Sequence, residues 1–136
     1  DLGQKITFLK HFECLKEDVI KCTLITEESK QKEVLNELKE LDEILEIVPS
    51  GKRSIDITTK GVHKGTAIKF LQDKYNITYN ETMAFGDYLN DIEMMKVAFY
   101  SYAMRNAHPE LKNYARFTAG YNHQRGVIEE IVKRVI

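Results

Sequence analysis

Apolar and polar positions along the chain change texture near residue 60. Phe8, Leu9, Phe12 and Leu15 recur at helical spacing and predict a short amphipathic helix within the first twenty residues. Val19–Thr26 (VIKCTLIT) is rich in β-branched residues and predicts a strand. Glu27–Leu41 is charged, with Val34, Leu38 and Leu41 on one stripe, and predicts a surface helix packed on one face. Glu43–Val48 predicts a second strand, Pro49-Ser50-Gly51-Lys52 a turn, and Ser54–Thr58, with Ile55 and Ile57 on one face, a third strand closing a hairpin. Beyond Gly61 the predicted elements alternate. There is a helix over His63–Tyr75 with Ala67, Ile68, Leu71 and Tyr75 in register, and a strand Met83–Phe85 ending at Gly86. A helix Asp91–Lys96, a strand Val97–Tyr102 and a helix from Pro109 to Tyr114 follow. Last come a strand Phe117-Thr118 and a helix Gly126–Ile136 with Val127, Ile128, Ile131, Val132 and Val135 on its apolar side. Alternation of this kind is the pattern of an α/β protein with a parallel, doubly wound sheet. The boundary between the two textures falls at Thr59-Lys60-Gly61.

Composition narrows the classes. A chain of 136 residues suits one domain, and no run approaches the ~20 apolar residues of a membrane span. Twenty basic against twenty-one acidic residues leave a net charge of −1, without the basic excess that nucleic-acid binding needs. Cys14 and Cys22 make neither a disulfide framework nor a zinc site and read as reduced thiols of a cytoplasmic protein. The chain starts at Asp1 with no signal-peptide pattern, so it reads as processed or as a piece of something longer.

The chemistry concentrates in Phe85-Gly86-Asp87-Tyr88-Leu89-Asn90-Asp91. A short apolar strand delivers Asp87 at its carboxyl end, where ligands bind in open α/β sheets. Gly86 lets the backbone approach a ligand closely. Two carboxylates and an amide at one sheet edge suit a hard cation such as Mg²⁺, which takes one or two carboxylates and keeps waters or phosphate oxygens. The same residues also read as a helix start, with Asn90 as N-cap, Glu93 as the capping-box acid and Asp91 favouring the helix dipole. Lys64 opens a helix, the wrong end for a cation, and there it would complement a phosphate; alone it also reads as a solvated lysine. Asn122, in the polar loop Thr118–Gly126, is a candidate and equally a turn residue. His11, His63, His108 and His123 lack mutual metal-ligand spacing; His108, beside Pro109, suits a helix cap and the others the surface. Phe99, Tyr100 and Tyr102 fit a strand core better than a ligand platform.

Taken in order, Asp56-Ile57, Gly61-Val62-His63-Lys64-Gly65 and Phe85-Gly86-Asp87-Tyr88-Leu89-Asn90-Asp91-Ile92-Glu93-Met94-Met95 resemble the haloacid dehalogenase (HAD) superfamily in its Cof-type phosphatase branch. Ala103-Met104-Arg105-Asn106-Ala107 and the stretch from Asn122 to Gly126-Val127 continue the likeness. It covers about the last 80 residues as a chain of motifs, and it is specific as a chain, whereas the GDxxND pattern alone is moderately so. The resemblance implies residues 60–136 as the second half of a HAD-like core and residues 1–59 as the remnant of an α/β cap domain. It implies a Mg²⁺-dependent phosphatase of small phosphorylated metabolites, such as sugar phosphates, working through an aspartyl-phosphate. It implies Asp87 as the metal-binding acid and Asp91 as the second acid supporting the metal site or its waters. Asn90 would line the phosphate side, Lys64 would neutralise the nucleophile and phosphoryl charge, and Asn122 would lie near the phosphate.

The family's nucleophile lies in an N-terminal DxD motif, and the chain has none that follows an apolar strand. Its two acid–x–acid triplets are Glu40-Leu41-Asp42 and Asp91-Ile92-Glu93, the first ending a charged helix and the second opening one. The chain therefore reads as a C-terminal half, inactive alone. The core strand bearing Asp87 would lose a neighbour, and the exposed edge predicts dimerisation, pairing with the missing half, or marginal stability. The alternative is a degenerate, non-enzymatic module that binds a partner or ligand.

Overall fold

The computed structural model describes residues 7–135, and it is an α/β structure built on two three-stranded sheets. The first sheet is antiparallel, in the order β1-β3-β2, from β1 (Cys22–Ile25), β2 (Leu45–Gly51) and β3 (Ser54–Thr59). Helix α1 (Gln31–Leu38), flanked by 3-10 turns Glu28–Lys30 and Lys39–Leu41, fills the crossover from β1 to β2. Alternation along β3 divides the sheet's faces. Ile55 and Ile57 pair with Leu24 and Cys22 on one side and with Pro49 and Ile47 on the other, so one face is apolar, and Ile55 is fully buried. Asp56, with Thr23 and Val48 opposite it, lies on the other face.

The second sheet is parallel, in the order β4-β5-β6, from β4 (Met83–Gly86), β5 (Tyr100–Ala103) and β6 (Phe117–Thr118). Helices α2 (Lys64–Tyr75), α3 (Ile92–Lys96), α4 (Pro109–Lys112) and α5 (Gly126–Val135) surround it. The core is Ala84, Met95, Ala98, Tyr102, Ala103, Met104, Ala107, Leu111 and Ala119. Small residues dominate it because the strands and α3 approach closely. On one face of the sheet the aromatic rings form a ladder: Phe85 stacks on Tyr102, Tyr102 on Phe117, and Tyr100 on Phe117. Arg134 of α5 lays its guanidinium 4.9 Å from the Phe117 ring centre and donates to the Tyr102 hydroxyl.

Several expectations need correction. The helix expected in the first twenty residues is only a 3-10 turn over Phe12–Cys14; its Asp1–Ile6 part lies outside the described residues. Phe8 is 93% exposed, so the periodic spacing there meets no core and gains no packing energy to hold a helix. The expected turn at Pro49–Lys52 starts later: Pro49–Gly51 extend β2, with a register shift between Pro49 and Gly51. Proline is tolerated because β2 is an edge strand. The strand expected from Val97 begins at Tyr100, since Val97 still donates to the Met94 carbonyl. The stripe expected on α2 is rotated: Leu71 and Tyr75 are exposed, and Gly65, Ile68 and Gln72 face inward. Gln72 explains the rotation, donating to Thr82 Oγ1 (2.7 Å) and to the Val97 carbonyl (2.9 Å). The apolar stripe expected to pack on α5 is largely exposed at Ile128, Ile131 and Val132.

Candidate active site

The site is assembled from four places in the sequence, and backbone hydrogen bonds fix each. β4 ends at Gly86, whose carbonyl accepts from Met104 N at 2.9 Å. The chain then turns through Asp87, whose carbonyl accepts from His108 N at 2.8 Å, into a 3-10 turn over Leu89–Asp91 that runs into α3. The Asp91 side chain folds back on this turn. Its Oδ2 accepts from Asp87 N (2.9 Å) and Tyr88 N (3.3 Å), the acid half of a capping box. Gly86 makes room for it, because a Cβ there would lie 2.6 Å from Asp91 Cβ. The helix-start alternative thus holds in altered form: the capping acid is Asp91 rather than Glu93, and Asn90 sits inside the turn rather than at its cap.

Lys64 arrives from the first turn of α2. His63 caps that helix, its Nδ1 accepting from Thr66 N at 3.2 Å while Thr66 Oγ1 accepts from His63 N at 3.1 Å. His63 is therefore a built cap, not the plain surface residue expected. His108 caps α4 as expected, accepting from Glu110 N. Gly65 brings α2 against α3, for a Cβ there would meet the Glu93 carbonyl oxygen at 2.5 Å. This proximity lets Lys64 Nζ reach Asp91 Oδ1 at 2.5 Å. Asp91 is 4% exposed and Lys64 about half exposed, so a buried carboxylate meets an ammonium that still touches solvent. Both Asp91 oxygens are engaged.

Asp87 is half-buried, and its Oδ2 accepts from Asn122 Nδ2 at 3.1 Å. Asn122 is held in turn by its own N–H, which donates to Asn106 Oδ1 at 3.1 Å. The loop carrying it closes on a glycine pair: a Cβ on Gly126 would lie 2.6 Å from the Gly120 carbonyl carbon. Lys64, Asp87, Asp91 and Asn122 all border one cavity of about 450 Å³. Asn90 borders a neighbouring cavity of about 310 Å³, which Lys64 also lines. The structure therefore gathers Lys64, Asp87, Asp91 and Asn122 around one space and sets Asn90 beside it.

Among the described residues no group of three or more His, Cys, Asp or Glu side chains gathers to hold a metal. One accessible carboxylate beside a second, buried one still fits Mg²⁺, which completes its shell with waters and phosphate oxygens. Asp87 is the side chain that could ligate such an ion, with the buried Asp91 behind it. Sequence reasoning placed Asp56 in a family-like motif but gave it no role at the site. It lies on the face of β3 turned toward Lys64, accepting from Thr23 Oγ1 (2.8 Å) and Lys21 Nζ (3.3 Å). Its position between Ile55 and Ile57 was the available signal, because alternation puts it on the opposite face. Burial pushes the Asp56 carboxyl up, but hydrogen bonds from Thr23, Ser50 and Lys21 and the Lys21 charge outweigh it and hold the group below the usual carboxylate range.

Comparison with known proteins bears on this arrangement. The 5-amino-6-(5-phospho-D-ribitylamino)uracil phosphatase of Escherichia coli K12 is 33% identical over 130 residues, covering 95% of this chain and 48% of the relative. The solved structure of SMU.1108c from Streptococcus mutans UA159 superposes with a TM-score of 0.86 at 38% identity, covering 93% of this chain and 48% of that one. A solved HAD subclass IIB sugar phosphatase superposes with a TM-score of 0.71 at 29% identity, covering 86% and 44%. The chain thus spans about half the length of these relatives. The sequence profile of the haloacid dehalogenase-like hydrolases matches residues 3–131, from before β1 into α5 and across every side chain of the cavity. A match over nearly the whole chain, together with these relatives, shows that the chain belongs to the haloacid dehalogenase-like hydrolases.

Proposed function

We propose that this chain is the carboxyl-terminal half of a Mg²⁺-dependent phosphatase of small organic phosphate esters, sugar phosphates among them, that works in the cytoplasm through an aspartyl-phosphate. The observation that carries the reading is the convergence of Lys64, Asp87, Asp91 and Asn122 on one cavity at the carboxyl end of β4. The named phosphatases among its relatives support the reaction class.

Each residue has a task that its geometry permits. Lys64 presents an ammonium to the cavity, fixed by Asp91, and neutralises charge on a bound phosphoryl group. Asp91 positions that ammonium and, through the Asp87 and Tyr88 amides, the turn itself. Asp87 and Asn122 orient one another across the mouth. Asn90, which lines the neighbouring cavity with Lys64, would donate its amide to the phosphate from that side. Mg²⁺ held at Asp87 would supply Lewis-acid charge to the transferring phosphoryl group. The nucleophilic carboxylate comes from a preceding DxD-bearing segment, which pairs with the open edge of β4.

The test joins such a segment to this chain and measures hydrolysis of p-nitrophenyl phosphate with Mg²⁺. Turnover is expected from the joined protein, none from the chain alone, and none after Asp87→Ala. Full turnover by Asp87→Ala, or hydrolysis by the chain alone, overturns the reading.

A further inference from the structure

His63 stands in extended backbone immediately before Lys64, the first residue of α2. Two reciprocal bonds tie it to Thr66: Thr66 Oγ1 accepts from His63 N at 3.1 Å, and His63 Nδ1 accepts from Thr66 N at 3.2 Å. The ring these bonds close encloses Lys64 and Gly65, the residues that carry the ammonium and bring α2 against α3. The two ties differ in one respect. A hydroxyl oxygen accepts at any working pH, whereas an imidazole nitrogen accepts only while it carries no hydrogen. Histidine is the side chain that ordinarily changes charge between about pH 5 and 8.

We propose that His63 is a positioning residue for the reaction: its neutral ring holds the first turn of α2 so that Lys64 stays on Asp91, and protonation of the ring releases that hold. The inference rests on the phosphatase reading. Protonation puts a hydrogen on Nδ1, which then meets the Thr66 N–H donor to donor. It also adds a positive charge at the amino end of α2, where the helix dipole disfavours it, next in sequence to the Lys64 ammonium. The bond to the Thr66 hydroxyl survives, so the turn loosens rather than unwinds. Lys64 is about half exposed and Asp91 is buried, so the ammonium is the partner free to leave for water. Charged groups face His63 from several elements. Asp56 of β3, Glu46 of β2 and Lys21 just before β1 border the cavity that His63 lines. Lys60 accompanies Glu46, Asp91 accompanies Lys64, and Glu93 of α3 stands behind Gly65. Carboxylates and ammonium groups ordinarily keep their charge across the range in which an imidazole changes its own.

The first readout needs no turnover. NMR follows the ring nitrogens of His63, the Thr66 amide and the Lys64 side chain of the chain from about pH 8 to about pH 5. At the upper end the ring should carry its proton on Nε2, and the Thr66 and Lys64 signals should then move along the ring's own titration. A ring protonated on Nδ1 at the upper end, or Thr66 and Lys64 signals that ignore the ring, overturns the inference and leaves the phosphatase reading standing. The second readout uses the joined protein, with kcat and KM for p-nitrophenyl phosphate measured over the same range. His63→Ala removes the cap acceptor and should lower kcat at least about threefold at the upper end, with KM changed less. His63→Ser keeps an acceptor that does not titrate. It should restore kcat there, and its fall in kcat toward the acid end should be at least about threefold smaller than that of the unsubstituted protein. An unchanged kcat in His63→Ala, or an acid limb in His63→Ser that overlies the unsubstituted one, refutes the assignment. No turnover by the unsubstituted joined protein, with the Thr66 and Lys64 signals still following the ring, would instead sink the phosphatase reading alone.

Discussion

Replacing Asp91 by alanine should unsettle the fold far more than replacing Asp87, although the two acids sit four residues apart in one motif. The difference follows from where their oxygens go. Asp91 is buried, and its side chain takes three hydrogen bonds: Asp87 N at 2.9 Å, Tyr88 N at 3.3 Å and Lys64 Nζ at 2.5 Å. Hydrogen bonds to a charged group contribute about 1.5–3 kcal/mol each, and a buried donor left without a partner costs about 1–3 kcal/mol. Lys64 is half exposed and regains water, so its share is discounted. Counting chiefly the two amide bonds, Asp91→Ala should cost about 3–5 kcal/mol, the range found when one partner of a buried pair is removed. Asp87 is half-buried and accepts one side-chain bond, from the exposed Asn122, so Asp87→Ala should cost about 0.5–1.5 kcal/mol.

Urea unfolding followed by circular dichroism at pH 7 measures both, with equal m-values as the check that the denatured states match. Domains of this size have about 5–15 kcal/mol in hand, so Asp91→Ala could leave too little folded protein to titrate. Asp91→Asn then serves: it keeps an acceptor for the turn amides but sets an amide N–H against the Lys64 ammonium, and should lose about half as much. A cost below about 1.5 kcal/mol for Asp91→Ala, or equal costs for the two alanine variants, would refute the account of Asp91 as the residue that holds the turn and aims Lys64.

Two further outcomes follow from close packing and from charge. Gly65→Ala places a Cβ against the Glu93 carbonyl oxygen, and backbone cannot swing aside, so α2 and α3 must part at a cost of about 1–3 kcal/mol; an unchanged melting temperature would contradict the contact. Asp56 is held below the usual carboxylate range in the folded chain, so the stability it contributes is present above its unfolded pKa of about 3.9 and is lost as pH falls through the folded value. Thr23→Val removes one of the hydrogen bonds responsible and should flatten the loss of stability between about pH 4 and pH 2, read from urea midpoints; an identical acid profile would sink the role of Thr23.

How much of this was legible in the sequence depends on whether a signal lives in side chains. The strand Met83–Gly86, the turn after it and the order of helices and strands beyond Gly61 could be read, because each carries an apolar period or a breaker. The contacts at Gly65 and Gly126 could not, and the close approach read at Gly86 is to Asp91 rather than to a ligand, since a residue without a side chain contributes nothing to a hydrophobic pattern while permitting the closest approaches in the fold. The inward face of α2 was misread for the complementary reason: Gln72 earns its place through hydrogen bonds, which periodicity of apolar residues does not register. Asp91 was legible as chemistry but not as architecture. A carboxylate in a helix start suggests a cap or a metal ligand, and only the geometry shows one side chain holding two turn amides and a lysine from 27 residues away.

The misread helix faces bear on the proposed function. Ile128, Ile131 and Val132 of α5 and Phe70, Leu71 and Tyr75 of α2 are exposed in this chain, although amphipathic helices normally turn such stripes to a core. β4 pairs with β5 on one side only, and parallel strands are normally buried within a sheet covered on both faces. The strand left at the edge is the one that delivers Asp87. A segment adding a strand beside β4 would set its own carboxyl-end residues next to Asp87, because adjacent parallel strands end at the same edge of a sheet. In the proposed phosphatase the missing nucleophile therefore needs no separate device to find the cavity: pairing with β4 both closes the exposed edge and places an incoming carboxylate across from Lys64.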